Sequence, residues 1–302
     1  MAPERCFVRS RPRSIVTVCA VVVQWLIVST ASAEAPVDVW HEVIGATSRA
    51  TPLIVVNGGP GFDHSYLKAS RVWDRLAARR PVVFYDQRGT GRSPGGASHT
   101  LPDYVDDLER LRVRLGASRI ALVGHSWGGY LAMAYAGRYP DRVERLVLCG
   151  SAAPRFDETE ILFASLFPEE AERFDRLVRV DSTRKEALRA LIAMLFVSPE
   201  RRDELLARVD SMFFSFEINQ QVEADLAARD LGPGLAGLGG RTLIVNGRFD
   251  ANVSPATAAK IHHAMPGSRL VFFEKSGHFP FVEEPERFFA LVDAFLAGAA
   301  HR

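Results

Sequence analysis

The chain of 302 residues is 47% hydrophobic and 24% charged, which are ordinary values for a globular protein with a sizeable core. Its 37 basic and 36 acidic side chains give a net charge of +1. This balance argues against a general nucleic-acid-binding protein, which would carry clustered positive charge. The length allows one enlarged α/β or β domain, or two domains of average size.

The first 33 residues have the composition of an export signal. Four arginines and one acidic residue precede an apolar run over residues 15–28, and Ala31-Ser32-Ala33 follows. A basic start, an apolar stretch and an A-x-A site are typical of a secretory signal peptide, so we predict cleavage before Glu34 and a secreted or periplasmic protein. The alternative is an uncleaved membrane anchor, because no residue between Arg13 and Glu34 is charged.

Removal of this leader changes the charge and the cysteine count. Residues 1–33 carry a net charge of +3, which leaves −2 on the remaining chain. Cys6 and Cys19 lie in the leader, so a processed chain keeps only Cys149 and forms no internal disulfide. Cys149 ends an apolar run, which predicts a buried and unreactive thiol.

Short β-branched runs alternate with helical patterns along the rest of the chain. Strands are predicted over residues 53–56, 81–85, 120–123, 143–149, 242–246 and 269–273. Helices are predicted over residues 66–78, 103–115 (with Asp103 as a cap), 128–139, 254–265 and 285–296. Strands that are apolar on both faces and separated by helices predict an α/β fold, with a mostly parallel sheet and helices on both faces.

The alternation of strands and helices stops between about residues 155 and 240. That stretch is helical in pattern, rich in Arg and Glu, and contains eight phenylalanines from Phe156 to Phe216. Because strands resume after it, we interpret residues 155–240 as a helical cap inserted into a core made of residues 34–154 and 241–302. No histidines or acidic residues stand at metal-ligand spacing, so no metal site is predicted.

The segment Gly124-His125-Ser126-Trp127-Gly128 is a G-x-S-x-G motif between a predicted strand and a predicted helix. A serine hydroxyl becomes a useful nucleophile when a sharp turn projects it towards a base and a substrate carbonyl. Glycines at both ends of the motif remove side chains that would clash in such a turn. The helix that follows directs backbone N–H groups at the developing oxyanion, and the N–H of Trp127 is the expected donor.

Two further strand ends supply the partners of Ser126. Asp250 follows the strand over residues 242–246, and His278 follows the strand over residues 269–273. Catalytic groups of open parallel sheets gather at the carboxyl ends of the strands, so we predict a Ser126–His278–Asp250 triad. Asp225 and Glu283 are competing acids that lack this strand-end placement.

The motifs resemble those of α/β-hydrolases, and specifically of the proline iminopeptidase family of serine peptidases. The resemblance is carried by NGGPG at 57–61, DQRGTGRS at 86–93 and GHSWGG at 124–129, and continues through NGRFD at 246–250 and GHFPFVEEP at 277–285. It implies an α/β-hydrolase fold with an inserted helical cap, and an oxyanion hole formed by Gly59 and Trp127. It also places Asp86 and Arg88 in a supporting loop, although an ordinary surface loop is the alternative.

The same resemblance bears on the substrate. Members of this family usually have His where this chain has Asn57, and their cap carboxylates bind the free α-amino group of the substrate. FSFEIN at 214–219 resembles a cap segment with one such glutamate, which makes Glu217 a candidate, with an ordinary solvated or ion-paired carboxylate as the alternative.

The expected protein is an exported serine hydrolase that needs no cofactor and acts on a small molecule or short peptide. The favoured activity is release of an N-terminal proline, or another small apolar residue, through an acyl-enzyme. The alternative is an esterase, amidase or lactonase with the same triad. A non-catalytic binding protein is disfavoured because Ser126, Asp250 and His278 are all present.

Overall fold

The computed structural model describes residues 36–45, 50–180 and 184–298. The predicted leader, residues 1–33, lies outside these ranges, so its cleavage and the alternative anchor stay predictions. Within the described ranges, no helix combines the length and the apolar character that a membrane span requires.

A sheet of seven strands forms the centre of the fold. The strands are β1 (His41–Ile44), β2 (Leu53–Val56), β3 (Val82–Tyr85), β4 (Ile120–His125), β5 (Val143–Cys149), β6 (Thr242–Gly247) and β7 (Arg269–Phe273). Their spatial order is β1-β3-β2-β4-β5-β6-β7, and of the pairs formed by these described strands only β1–β3 is antiparallel. The predicted parallel sheet is therefore confirmed, with β1 as an additional edge strand that the sequence pattern did not predict.

Helices cover both faces of the sheet. Alternate residues of β2 belong to two separate apolar clusters, because successive side chains of a strand point to opposite faces. One cluster contains α2 (Leu101–Arg114), α3 (Trp127–Arg138) and α9 (Pro255–Ala264). The other contains α1 (Val72–Ala77), α10 (Pro280–Glu283) and α11 (Pro285–Leu296). The predicted α/β-hydrolase arrangement, with a sheet between two helical layers, is confirmed.

The predicted helix over residues 66–78 is wrong. The chain forms a 3₁₀ helix over His64–Ala69 and then α1, with a break at Ser70. Ser70 Oγ donates a hydrogen bond to the carbonyl oxygen of Phe281, which lies far away in the sequence. Ser70 also has an extended backbone, which separates the two helices.

The second helix begins earlier than predicted. Thr100 is the N-cap of α2, and Asp103 stands at the third helical position, where its carboxylate accepts the backbone N–H of Thr100 at 2.9 Å. Thr100 and the third helical residue, Asp103, together form a capping box. Asp103 therefore stabilises the start of the helix from inside the first turn.

The residues between β5 and β6 are here called the β5–β6 segment, and its described part (all but residues 181–183) contains five α-helices. These are α4 (Phe163–Leu166), α5 (Pro168–Val178), α6 (Arg184–Ala193), α7 (Pro199–Leu206) and α8 (Phe216–Leu226). Backbone hydrogen bonds join this segment to three loops of the core: Ser215 N–H to Gly61 O at 3.1 Å, Leu162 N–H to Ala251 O at 2.7 Å, and His278 N–H to Leu195 O at 2.8 Å. The division into a core and a cap at residues 155 and 240 stays a prediction.

The order in which the chain adds strands to the sheet reverses between β2 and β4, which are parallel neighbours. From β2 the chain continues to β3 on one side, and it then returns to β4 on the other side. Loops that leave two such neighbouring strands diverge and open a crevice at the carboxyl edge of the sheet. Val56 at the end of β2 pairs with Gly124 near the end of β4, so the loops that follow them begin side by side.

Candidate active site

Ser126 stands in a strained turn between β4 and α3. Its φ of 58° and ψ of −126° make it the one non-glycine residue with positive φ in the described part of the chain. A side-chain-bearing residue rarely adopts this conformation, which is costly unless the surrounding structure enforces it. Ser126 is also the N-cap of α3, so the positive end of that helix lies beside its hydroxyl.

Glycines around Ser126 permit a very close approach of backbones. A Cβ built on Gly124 would overlap the carbonyl oxygen of Gly128, and one built on Gly128 would overlap the carbonyl oxygens of Val56 and Asn57. The start of α3 therefore packs directly against the loop that leaves β2. This contact brings the two predicted oxyanion-hole segments together.

His278 and Asp250 are buried and hydrogen-bonded to each other. His278 Nδ1 lies 2.8 Å from Asp250 Oδ2. The other carboxylate oxygen, Oδ1, accepts the backbone N–H groups of Asn252 at 2.9 Å and Val253 at 2.8 Å. Because a carboxylate only accepts, the proton lies on Nδ1 of His278, and Nε2 is left free to act as a base.

Ser126 and His278 line the same cavity, but no hydrogen bond joins their side chains. His278 Nε2 instead lies 3.3 Å from Nδ2 of Asn252. Catalytic hydrogen bonds are often long before substrate binds, so this geometry is compatible with a base that engages the serine only in the complex. Asn252 is a cavity residue that the sequence analysis did not identify.

The loop after β2 brings Gly59 to the cavity with a φ of 122°. The neighbouring N–H of Gly58 donates to Tyr66 Oη at 2.6 Å, so it is not available to a ligand. Among the described residues, the N–H of Gly59 has no recorded acceptor. Asn57, the residue that departs from the family pattern, closes this loop by donating from Nδ2 to the carbonyl oxygen of Phe62 at 2.6 Å.

Gln87 connects the two predicted oxyanion segments. Its Nε2 donates to the carbonyl oxygen of Asn57 at 2.8 Å, and its Oε1 accepts from Trp127 Nε1 at 2.8 Å. The neighbouring Arg88 is buried and pairs with Asp107 through two hydrogen bonds of 2.7 and 3.0 Å. Residues 86–88 are thus a buried support rather than the surface loop that was the alternative.

Asp63, His64 and Asp86 form a buried group whose ligand-type atoms lie within 4.8 Å of one another. The oxygens already have partners from the chain: Asp86 accepts from His64 Nδ1 at 2.6 Å and from the Arg92 N–H at 2.9 Å, and Asp63 accepts from Ser65. Burial alone would raise the pKa of Asp86, but these hydrogen bonds outweigh it and lower the pKa below its usual value. The hydrogen bonds of Asp86 join the loop after β3 to the 3₁₀ helix that begins at His64.

A cavity of about 390 Å³ lies between the sheet edge and the β5–β6 segment. Ser126, His278 and Gly59 are among the residues that line it. Most of the remaining wall is apolar and comes from the β5–β6 segment, including Phe163, Phe174, Leu188, Leu191, Met212 and Phe216. The volume and the few polar groups are typical of a small-molecule site.

Glu217 does not line this cavity. Its side chain is 58% exposed and pairs with Arg184 Nη2 at 2.6 Å. Its own backbone N–H, together with Arg184 and Ser215, lowers the pKa of its carboxyl. Glu217 is therefore a solvated, ion-paired carboxylate, which was the alternative to a role in binding the substrate.

Glu223 is the carboxylate that does line the cavity, and the sequence analysis missed it. The residue as a whole is exposed, but the surrounding protein desolvates its carboxyl and raises the pKa of that group. A hydrogen bond from Asn219 Nδ2 at 3.2 Å lowers the same pKa and offsets part of the rise. Glu223 lies six residues after Glu217 on α8, which is about 1.7 helical turns, so the two side chains project from different faces of the helix.

Cys149 is buried at the end of β5, and burial raises the pKa of its thiol well above the usual value. Asp250 contributes in the same direction. A neutral, buried thiol is unreactive, as the sequence predicted.

Comparison with known proteins places this geometry in context. A family profile described as "alpha/beta hydrolase fold" matches residues 51–285. The chain is 30% identical to a proline iminopeptidase of Heyndrickxia coagulans, over 82% of this chain and 90% of that one. It is 28% identical to a proline iminopeptidase of Clostridium botulinum, over 85% and 94% of the two chains.

A solved structure is also similar. An esterase from Exiguobacterium antarcticum superposes with a TM-score of 0.70 and 25% identity, over 86% of this chain and 96% of that chain. The fold is therefore shared with enzymes named for ester substrates as well as with peptidases.

Two glycines of α3 test the close approach at the turn. We expect Gly128→Ala to cost about 1–3 kcal/mol or more of stability and to displace the turn, because its Cβ overlaps backbone atoms. Gly137→Ala is the matched control: its nearest neighbour lies 3.6 Å away, so a gain of roughly 0.5–1 kcal/mol is expected. Denaturant unfolding measures both. Equal stabilities for the two variants would contradict the proposed packing.

Proposed function

The chain belongs to the α/β-hydrolase fold family, and from this premise we propose that it is a serine hydrolase that forms an acyl-enzyme on Ser126. The observation that carries the proposal is the position of Ser126 in a strained turn, facing the same cavity as a histidine that is hydrogen-bonded to a buried carboxylate. Serine nucleophiles on this fold require such a turn and such a pair.

In the proposed reaction, Ser126 Oγ attacks the substrate carbonyl carbon while His278 Nε2 takes its proton. Asp250 stabilises the imidazolium and holds its orientation. The N–H groups of Gly59 and Trp127 bind the oxyanion of the tetrahedral intermediate. As the bond to the leaving group breaks, His278 returns the proton to it. Water, activated by His278, then releases the acid from Ser126.

Covalent labelling tests the nucleophile. We expect a fluorophosphonate probe to label the wild-type protein and to leave Ser126→Ala unlabelled, with Asp250→Asn losing roughly 10³- to 10⁴-fold in kcat. Ser211→Ala, at an exposed position outside the cavity, is the control and should be labelled normally. Labelling of Ser126→Ala at the wild-type rate would assign the nucleophile to another residue.

We propose that the favoured substrates are peptides with a free N-terminus whose first residue is apolar, proline being one candidate. The similarity to proline iminopeptidases supports the aminopeptidase activity. The apolar wall suits the side chain, and Glu223 supplies a negative charge for the α-amino group. Among the described residues that line the cavity, Glu223 is the one carboxylate, so we assign this role to it rather than to Glu217.

Two glutamates on the same helix make a matched pair for this assignment. Glu223→Gln should lower kcat/KM for aminoacyl amides roughly 10- to 100-fold, the value of a charged hydrogen bond, and should leave simple esters unchanged. Glu217→Gln should remain within about two-fold of wild type, since it removes only an exposed ion pair. Turnover of N-acetylated amides as fast as free ones would contradict recognition of the amino group.

The second candidate is an esterase, amidase or lactonase. The observation in its favour is the apolar character of the cavity wall, which suits an acyl chain as well as it suits a side chain. The similar fold of the Exiguobacterium antarcticum esterase agrees with it. Under this candidate, aliphatic esters are turned over efficiently and Glu223→Gln has no effect on any substrate.

We also propose export, which rests on the leader sequence alone. Expression of the full chain in a bacterial host should yield a protein whose N-terminus is Glu34, measured by N-terminal sequencing of the periplasmic and secreted fractions. Replacing Ala31 and Ala33 with Leu should block this processing. A wild-type chain that keeps Met1 in the membrane fraction would instead support the anchor.

A further inference from the structure

A series of hydrogen bonds through His125, the residue before Ser126, connects three segments of the candidate site. Gly58 N lies 2.6 Å from Tyr66 Oη, Tyr66 Oη lies 2.8 Å from His125 Nδ1, and His125 Nε2 lies 2.9 Å from the carbonyl oxygen of His278. Each of the side chains of Tyr66 and His125 is almost fully buried. Neither residue has a role in the reaction proposed above.

The direction of each hydrogen bond follows from the groups involved. The carbonyl oxygen of His278 only accepts, so the proton of His125 lies on Nε2. Burial, followed by the proximity of His278, holds the pKa of His125 well below its usual value, so the ring is neutral and Nδ1 is an acceptor. Burial also raises the pKa of Tyr66, so its hydroxyl keeps its proton and donates it to Nδ1.

This arrangement leaves Tyr66 Oη to accept the N–H of Gly58. Every donor in the series then has one acceptor, and the series carries no net charge. A protonated His125 would present two N–H groups, and Tyr66 Oη would then face two donors with no acceptor for its own proton. The series therefore works only with a neutral ring.

Packing alone does not account for a histidine at this position. The ring of His125 lies 5.1 Å from the rings of both Phe279 and Phe281 and 4.6 Å from that of His278, so much of its surroundings is apolar. An apolar side chain would pack there without the free-energy cost of burying polar atoms. Instead, Nδ1 of His125 bonds to the hydroxyl of Tyr66, and Nε2 bonds to the backbone carbonyl oxygen of His278.

Those segments carry two groups of the proposed reaction, an oxyanion donor and the base. On one side, Gly58 is directly followed by Gly59, whose N–H is the proposed oxyanion donor. On the other side, the carbonyl of His278 is fixed by His125, and its N–H by the carbonyl oxygen of Leu195 at 2.8 Å. Misplacement of a catalytic group by about 1 Å can cost on the order of 10²-fold in rate.

We propose that Tyr66 and His125 are positioning residues, which together form an uncharged link that sets the distance between the Gly58–Gly59 loop and His278. The hydrogen bonds of the link end at Gly58 and at the carbonyl oxygen of His278, and not at Ser126 Oγ or His278 Nε2, although the side chains of Tyr66 and His125 also line the cavity. This inference rests on the proposed serine-hydrolase reaction, for which it supplies a second layer of support.

Conservative variants separate the two halves of the link. Tyr66→Phe removes the hydroxyl and keeps the ring. His125→Gln keeps a donor near the Nε2 position for the carbonyl oxygen of His278 and loses the acceptor for Tyr66. His125→Asn keeps an acceptor near the Nδ1 position for Tyr66 and loses the contact with His278. Tyr85→Phe is the matched control, because Tyr85 is equally buried and its hydroxyl has no recorded partner among the described residues.

The expected result is a loss in kcat with little change in KM. Tyr66→Phe, His125→Gln and His125→Asn should each lower kcat and the rate of fluorophosphonate labelling roughly 10- to 100-fold, with KM within about three-fold of wild type. Tyr66→Phe combined with His125→Gln should be no slower than the slower single variant, because both break the same bond. Tyr85→Phe should retain wild-type kinetics.

Several results would overturn the inference. Wild-type kcat and labelling rate in folded Tyr66→Phe and His125→Asn would show that the link positions nothing. Fully multiplicative losses in the double variant would show that Tyr66 and His125 do not act together. If circular dichroism shows that Tyr66→Phe or His125→Asn is unfolded, the kinetics of the other variant test the link. An unlabelled wild-type protein would remove the proposed function itself, and with it this inference, whereas a labelled wild type with unaffected variants removes the link alone.

Discussion

The direct contact of two backbones, where the loop after β2 crosses the start of α3, is the constraint on which the rest of the site depends. Gly128 has no side chain, so the carbonyl oxygens of Val56 and Asn57 approach α3 as closely as backbone atoms allow. This approach places the loop that carries Gly59 against the start of α3, with Gly58 in contact with Ser126. The same contact holds the strained backbone of Ser126, since unfavourable φ and ψ angles persist where the surroundings enforce them.

Most charged groups around the site hold backbone segments or pair with one another instead of facing the cavity, with Glu223 as the exception. Glu283, one of the competing acids, accepts the backbone N–H groups of Val197 and Ser198 and that of Gly277, next to His278. Burial raises the pKa of its carboxyl, and those hydrogen bonds oppose the rise. Arg88 and Asp107 neutralise each other under the loop at residues 86–93. The interior around His278 therefore contains one directly bonded carboxylate, Asp250, which avoids competition for its proton.

Much of the fold and part of the site could be predicted from local pattern. Buried parallel strands are continuous apolar runs, and residues at their carboxyl ends meet at one edge, which is why Ser126, Asp250 and His278 could be placed together. Strand β1 was missed because it is short, half-exposed and paired at an edge, so its apolar pattern is weak. The break at Ser70 depends on a carbonyl 211 residues away, and local periodicity does not contain that information. Gln87, Asn252 and Glu223 were missed for the same reason, since their roles depend on which side chains face the cavity.

Three loops of the core, at Gly61, Ala251 and His278, are each hydrogen-bonded to the β5–β6 segment that also forms most of the cavity wall. In evolutionary terms, the segment that forms most of the cavity wall is also the segment that holds the loops of the candidate site. Replacement of this segment by that of a relative would then alter turnover as well as preference unless all three attachments were carried over. New specificities in such a scaffold would arise more readily by exchange of single wall residues than by exchange of the whole segment.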